Sequence, residues 1–330
     1  LLDLELLRNH RLATVPWLQV LVANAGLFFD YRIPRRTEIV VEGVENFPKD
    51  RGVFFAMNHT DAYNYWPFQY WMYRNHHRFT ATWIKGKWVE KKLRGRFLLA
   101  SNNIPVPSRG FVIAKNFQEL TGRAPKEAEY RALRNLVDGP RDQDARVPPD
   151  VPTEVEAFVE KFSEGSGLVG FLSRFDSLFG AMMAEVIRLN REALDELALN
   201  VLVFPQGTRS KRLSKGHIGL AEMASHLGHA VVPVGCSGSD HLYPTSKPFS
   251  QGGRVIYRIG EPLELDSPPL AAHRVPSDVL PFSPQSRKYA PNYEAITRVV
   301  MDRIDGLLEP EYRYSEDGSS DGVSGVDRFL

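Results

Sequence analysis

A histidine and two arginines stand just past the ends of apolar runs, at points in this chain where side chains do chemistry. The run Val53-Phe54-Phe55-Ala56 leads directly into Asn58-His59-Thr60-Asp61-Ala62-Tyr63-Asn64. Histidine exchanges a proton near neutral pH, so His59 is a candidate general base. Further on come Ile104-Pro105-Val106-Pro107-Ser108-Arg109, then Phe204-Pro205-Gln206-Gly207-Thr208-Arg209-Ser210, then Val231-Val232-Pro233-Val234. Arg109 and Arg209 carry forked donors that suit phosphate. The Gln206-Gly207-Thr208 turn can add backbone N–H groups and a hydroxyl to the same anion. A helix near residues 216–227 could contribute its N-terminal dipole. The chemistry implied is proton removal beside a bound phosphate.

Something must hold these residues together, and the apolar patterning says what. Short continuous runs around Ile39, Val53, Val201, Val231 and Val255 read as strands covered on both faces. Helical patterns lie between them. Leu168, Phe171, Leu172, Phe175, Leu178, Phe179, Met182, Met183, Val186 and Ile187 recur at three- and four-residue spacing. The expected fold is α/β: a central, mostly parallel sheet flanked by helices. That long apolar face is expected to be core, the alternative being the wall of a tunnel for a long apolar ligand. The Pro-rich stretch 139–154 reads as an exposed loop, and 314–330 as a disordered tail.

In order, NHx4, a Val-Pro-x-x-Arg-like strand end (here Val-Pro-Ser-Arg), FPxGTRS and VPV resemble the glycerolipid acyltransferase family, which includes the lysophosphatidic acid and glycerol-3-phosphate acyltransferases. Val41-Glu42-Gly43-Val44-Glu45-Asn46, Lys85, Lys215-Gly216 and Ile259-Gly260-Glu261-Pro262 also fall where that family's pattern puts them. The similarity covers residues 39–263, apart from a long stretch after Arg109. It implies transfer of a fatty acyl group from acyl-CoA or an acyl carrier protein to the hydroxyl of a glycerol-phosphate or lysophospholipid acceptor, as in phospholipid biosynthesis. No cofactor is implied beyond that co-substrate. His59 and Asn64 are then the catalytic positions. Lys85, Arg109, Gln206, Gly207, Thr208, Arg209 and Ser210 are the acceptor and phosphate positions. The expected organisation is an N-terminal helical segment over 1–36, an acyltransferase domain over 37–313 with a helical insertion at about 113–198, and the tail.

Two signature positions depart from the family. Asn64 stands where the resemblance puts an aspartate, and Gln206 replaces the glutamate of FPEGTRS. Asn64 can accept a hydrogen bond from the ring but supplies no charge to an imidazolium, and its NH₂ could face the ring and favour the wrong tautomer. In a Ser-His-Asp triad the equivalent change costs about 10⁴ in rate. On charge alone, Asn64→Asp is expected to raise turnover. The alternative is a catalytically weak or inactive lipid-binding relative.

Bulk properties narrow the partners. Lys+Arg 41 against Asp+Glu 40 gives no global field toward nucleic acid. Residues 12–29 carry no charge and are flanked by Arg8, Arg11, Arg32, Arg35 and Arg36. A segment that short, interrupted by Pro16 and Gly26, is expected to lie on a phospholipid membrane surface, peripherally on the cytoplasmic face. The alternative is a helix packed on the core. Arg74, Arg78, Lys85, Lys87, Lys91, Lys92, Arg94 and Arg96 face a single acid, Glu90, with Trp83, Trp88 and Phe97 interleaved. This cluster suits anionic lipid or the phosphates of the donor carrier. Gly318-Ser319-Ser320-Asp321-Gly322 matches a nucleophile-elbow pattern but lacks a preceding strand. His76-His77 and His217 lack metal-ligand spacing, and the single cysteine, Cys236, reads as a small buried residue.

Overall fold

Seven strands form one sheet in the computed structural model, which describes residues 2–139 and 146–316. They are β1 (Thr37–Glu42), β2 (Phe54–Met57), β3 (Thr80–Lys85), β4 (Asn103–Val106), β5 (Asn200–Val203), β6 (Val231–Ser237) and β7 (Gly253–Ile259). Their order is β1-β7-β6-β2-β5-β3-β4, and every neighbouring pair is parallel except β6 and β7. The fold is therefore α/β with a mixed, mostly parallel sheet. Parallel neighbours require crossovers, and helices supply them. Trp66–Arg74 follows β2, Lys92–Ala100 follows β3 and Gly219–Leu227 precedes β6.

Residues of β2 and β5 are buried throughout. Successive side chains of β2 go to opposite faces. Phe54 and Ala56 join the core beneath the long helices, while Phe55 and Met57 join a second cluster with Phe68, Val232 and Val234. Both sheet faces are thus covered, which is why these strands lack polar alternation.

Between β4 and β5 the chain forms helices Arg109–Thr121, Glu127–Asp138, Thr153–Ser163 and Gly167–Arg191. Phe171, Phe175 and Phe179 of the last helix run down one buried stripe, with Phe175 and Phe179 stacked at 6.1 Å. The apolar face read from the sequence is core. Phe179, Met183 and Ile187 also border a small cavity of about 100 Å³ against residues 280–284.

The N-terminal segment has two edges. Ala23 and Leu27 are buried, and Gln19 donates to the carbonyls of Thr80 and Ser101. Val15, Trp17, Leu21 and Phe29 remain exposed. Among the described residues no helix is long and apolar enough to cross a membrane. The elbow-like pattern at Gly318 and most of the expected tail lie outside the described residues.

Strands β2 to β6 share one direction, so their C-terminal ends share one edge. His59 follows β2, Lys85 ends β3, Arg109 follows β4, and residues 206–210 follow β5. This edge is where open α/β sheets place their sites.

Candidate active site

The turn that carries His59 begins with a substitution of side chain for backbone. Pairing of β2 with β6 ends at Met57 and Val234. Beyond it, Asn58 extends the ladder with its amide: Nδ2 donates to the Cys236 carbonyl at 2.9 Å, and Oδ1 accepts from the Cys236 N–H at 2.7 Å. The main chain is then free to leave the sheet. His59 is caught by the loop after β5. Its N–H donates to Gln206 Oε1 at 2.9 Å, and its carbonyl accepts from the Ser210 N–H at 2.8 Å. Gln206, 2% exposed, also donates through Nε2 to Ser214 Oγ at 3.0 Å. The imidazole stacks on Phe204, with centroids 4.0 Å apart and planes 18° apart.

Asn64 sets the state of the ring. His59 Nδ1 lies 3.0 Å from Asn64 Oδ1, and Asn64 Nδ2 donates to the Asn58 carbonyl at 2.8 Å. A carbonyl can only accept, so the amide nitrogen must face Asn58 and the amide oxygen must face the ring. His59 therefore carries its proton on Nδ1 and its lone pair on Nε2. The inverted amide that the sequence leaves open is excluded by the Asn58 carbonyl. Nε2 has no hydrogen-bond partner among the described residues.

Burial pushes the His59 pKa down to about 3. The Asn64 hydrogen bond opposes this, while the charges of Arg209 and Lys85 add to it. Those two cations therefore sit close enough to act on the ring. Asp61 does not support His59. Its Oδ1 accepts from the Tyr63 N–H at 2.8 Å and its Oδ2 from the Thr60 hydroxyl at 2.9 Å. Both oxygens thus close its own turn.

The remaining expected residues divide. Gly207 adopts φ +64°, and a Cβ there would lie 3.0 Å from His217 Cδ2, so the turn requires glycine. Thr208 is half-buried and Arg209 exposed beside it, while Ser210 is buried with its N–H on His59. Arg109 is drawn elsewhere. Its guanidinium lies 3.6 Å from Asp138, donates weakly to the Phe282 carbonyl at 3.4 Å and sits 5.2 Å from the Phe179 ring centroid. The structure thus gathers His59, Asn64, Gln206 and Ser210 by hydrogen bonds and Lys85 and Arg209 by charge, and turns Arg109 toward the long helix. The helix expected near 216 begins at Gly219, where Phe282 packs against it.

This chain is similar to a solved acyltransferase. The 1-acyl-sn-glycerophosphate (LPA) acyltransferase PlsC from Thermotoga maritima aligns over 81% of this chain and 72% of its own, at 19% identity and a TM-score of 0.36. No family model and no curated protein matches the chain. At so low a TM-score, the reading of function rests on the site's own residues.

Residues to which the motifs assign no role complete the arrangement. Asn58 and Phe204 lie in the motifs and Ser214 just beyond one, and a polar residue directly after a strand could have flagged Asn58. Tyr257 donates its hydroxyl to the Asn64 carbonyl at 2.7 Å from 193 residues away. No local pattern marks it. The described residues include no group of three or more His, Cys, Asp or Glu placed to hold a metal.

Proposed function

We propose that this protein transfers an acyl group from a thioester to the hydroxyl of a phosphate-bearing glycerolipid acceptor. The observation that carries this reading is the hold on His59: Asn64 Oδ1 faces Nδ1, Nε2 has no hydrogen-bond partner among the described residues, and the charges of Lys85 and Arg209 act on the ring. Nε2 takes the proton of the acceptor hydroxyl as its oxygen attacks the thioester carbonyl. The tetrahedral intermediate collapses, breaking the C–S bond, and the thiolate leaves with the proton from the imidazolium. A base held near pKa 3 is weak on its own. An acceptor phosphate between Lys85 and Arg209 offsets their charges and so relieves the smaller part of that depression, while burial, the larger part, remains.

A second reading, a lipid-binding relative with little turnover, is favoured by the Asn64 amide, which gives the imidazolium no compensating charge. Acyl-CoA turnover with glycerol phosphate and lysophosphatidate as acceptors separates the two. Absence of acylated product with every acceptor would favour the second.

The acceptor clamp consists of Lys85 and Arg209, with Arg109, 3.6 Å from Asp138, as a third candidate cation. Arg209→Ala and Lys85→Ala are each expected to raise KM for the acceptor roughly tenfold, as for loss of a charged hydrogen bond, with KM for acyl-CoA little changed. Steady-state kinetics with each substrate varied checks this. An effect confined to acyl-CoA would reassign both residues to the donor.

The phospholipid surface meets the protein along the exposed edge of the N-terminal segment. The Trp17–Leu21 helix packs against the Lys92–Ala100 helix. Trp17, Leu21, Leu93 and Phe97 are all exposed, among Lys91, Lys92, Arg94 and Arg96. Apolar residues ringed by cations suit peripheral attachment to anionic lipid. Leu2, Leu7 and Leu12 belong to the core, so truncation would damage the fold; point substitution is the cleaner test. Trp17→Glu combined with Leu93→Glu is expected to abolish sedimentation with phosphatidylglycerol vesicles. Undiminished binding would place the contact elsewhere.

A further inference from the structure

We propose that Tyr257 is a positioning residue for His59, its hydroxyl holding the turn so that the ring stays in one tautomer. This rests on the reading of His59 as the base. Cys236 of β6 and Tyr257 of β7 are cross-strand partners. Each holds one end of the His59 turn: the Cys236 backbone clamps the Asn58 side chain, and the Tyr257 hydroxyl donates to the Asn64 carbonyl at 2.7 Å. Between those ends, Asn64 Nδ2 reaches the Asn58 carbonyl and Asn64 Oδ1 reaches the ring. A single strand pair therefore closes the loop of bonds that fixes the amide, and the amide fixes the imidazole.

Besides the Asn64 carbonyl, the hydroxyl meets only the Cys236 thiol, a weak hydrogen-bond partner. Tyr257 is 0% exposed, in a cluster with Phe55, Met57, Phe68 and Val255, and its ring packs 5.2 Å from Phe68. A phenylalanine would fill that space. A buried hydroxyl is costly unless it is bonded, and its bond here is to the one peptide whose side chain orients His59. Without it, the Asn64 carbonyl loses its donor and the peptide is free to turn, carrying the amide away from Nδ1. The ring then distributes between its two neutral tautomers, and the one with Nε2–H cannot accept the hydroxyl proton.

The test is Tyr257→Phe, with ¹⁵N spectra of the histidine rings at about pH 7, where His59 is neutral. The wild type is expected to show Nε2 of His59 unprotonated. The variant is expected to show a substantial Nε2–H fraction and a kcat lowered at least about tenfold, with both KM values within about twofold. Phe68→Leu, which loosens the same packing without touching the hydrogen bond, should keep the wild-type tautomer. A Tyr257→Phe variant with the wild-type tautomer and a kcat within about twofold would overturn the proposal. If that variant does not fold, Asn64→Ala is read in the same way, and an unmixed Nδ1–H ring there overturns it. The spectra need no turnover. A wild type lacking acyl transfer would defeat the functional reading while the tautomer result still decides this one.

Discussion

His59→Ala is expected to lower acyl transfer by about 10²–10⁴-fold, the usual contribution of a general base, while leaving the fold nearly intact. The backbone bonds of His59 to Gln206 and Ser210 survive the substitution. The stacking on Phe204 is lost, a contribution of about 0.5–1.5 kcal/mol. For a domain of this size that corresponds to a melting shift of about 1.5–2 °C per kcal/mol. Turnover and melting temperature measured together separate a catalytic role from a structural one. Wild-type turnover with a strongly lowered melting temperature would refute the catalytic assignment. The pH dependence carries the same signature. Burial pushes His59 down to about 3 from the 6.5 usual for an imidazole, so the free enzyme's base remains unprotonated well below neutrality. kcat/KM should therefore show no loss from protonation of this ring between about pH 8 and pH 5. The stability effect has a definite sign. With the folded pKa depressed, the unfolded chain binds the proton first, so this contribution is present above pH 6.5 and is lost as pH falls toward 3.

Asn64→Asp is expected to lower turnover at alkaline pH, against the expectation from charge alone. Asn64 is 0% exposed, and its NH₂ is the donor to the Asn58 carbonyl. A carboxylate would keep its bond to the ring but set its second oxygen against that carbonyl with no donor between them. Leaving one buried acceptor unpaired costs about 1–3 kcal/mol, more when the group is charged. A proton on that oxygen restores the donor and makes the acid nearly isosteric with the native amide. Turnover and stability of the variant should therefore both recover as pH falls from about 8 to about 5, whereas the wild type shows no such recovery. Higher turnover than wild type at pH 8 would mean that charge behind the imidazole outweighs the lost donor. Gln206→Glu makes a useful contrast. Its two partners are the His59 N–H and the Ser214 hydroxyl, and the hydroxyl can turn to donate. The carboxylate at 206 thus keeps both bonds, and a much smaller effect is expected.

The parts of this architecture visible in the sequence are those that repeat a simple physical constraint. β2, β5 and β6 are covered on both faces, and the apolar runs containing Phe54, Val201 and Val231 show it. β3 is hidden because Thr80 and Thr82 interrupt its apolar character, and β4, which holds Asn103 and Pro105, shows only as the strand end before Arg109. The Thr80 and Thr82 hydroxyls are bonded by Gln69 from the preceding helix, a partner supplied only by the fold. The His59 and Gln206 turns were legible because chemistry-bearing residues sit directly after strands. Arg109 also follows a strand, and its position suggested a phosphate ligand. Its side chain also contacts Asp138 and Phe282, the latter 173 residues away, and nothing local in the sequence marks those partners. Tyr257 was hidden for the same reason: long-range contacts decide its role, and an isolated tyrosine in an apolar strand reads as packing.

The central claim is that acyl-CoA is consumed by attack of an acceptor hydroxyl activated at His59. The most direct measurement is mass spectrometry of the acceptor after incubation with acyl-CoA and lysophosphatidate, for wild type and His59→Ala side by side. Acylated lysophosphatidate, formed together with free CoA, is expected from the wild type and almost none from the variant. Equal product from both would contradict it, as would CoA release without any acylated acceptor.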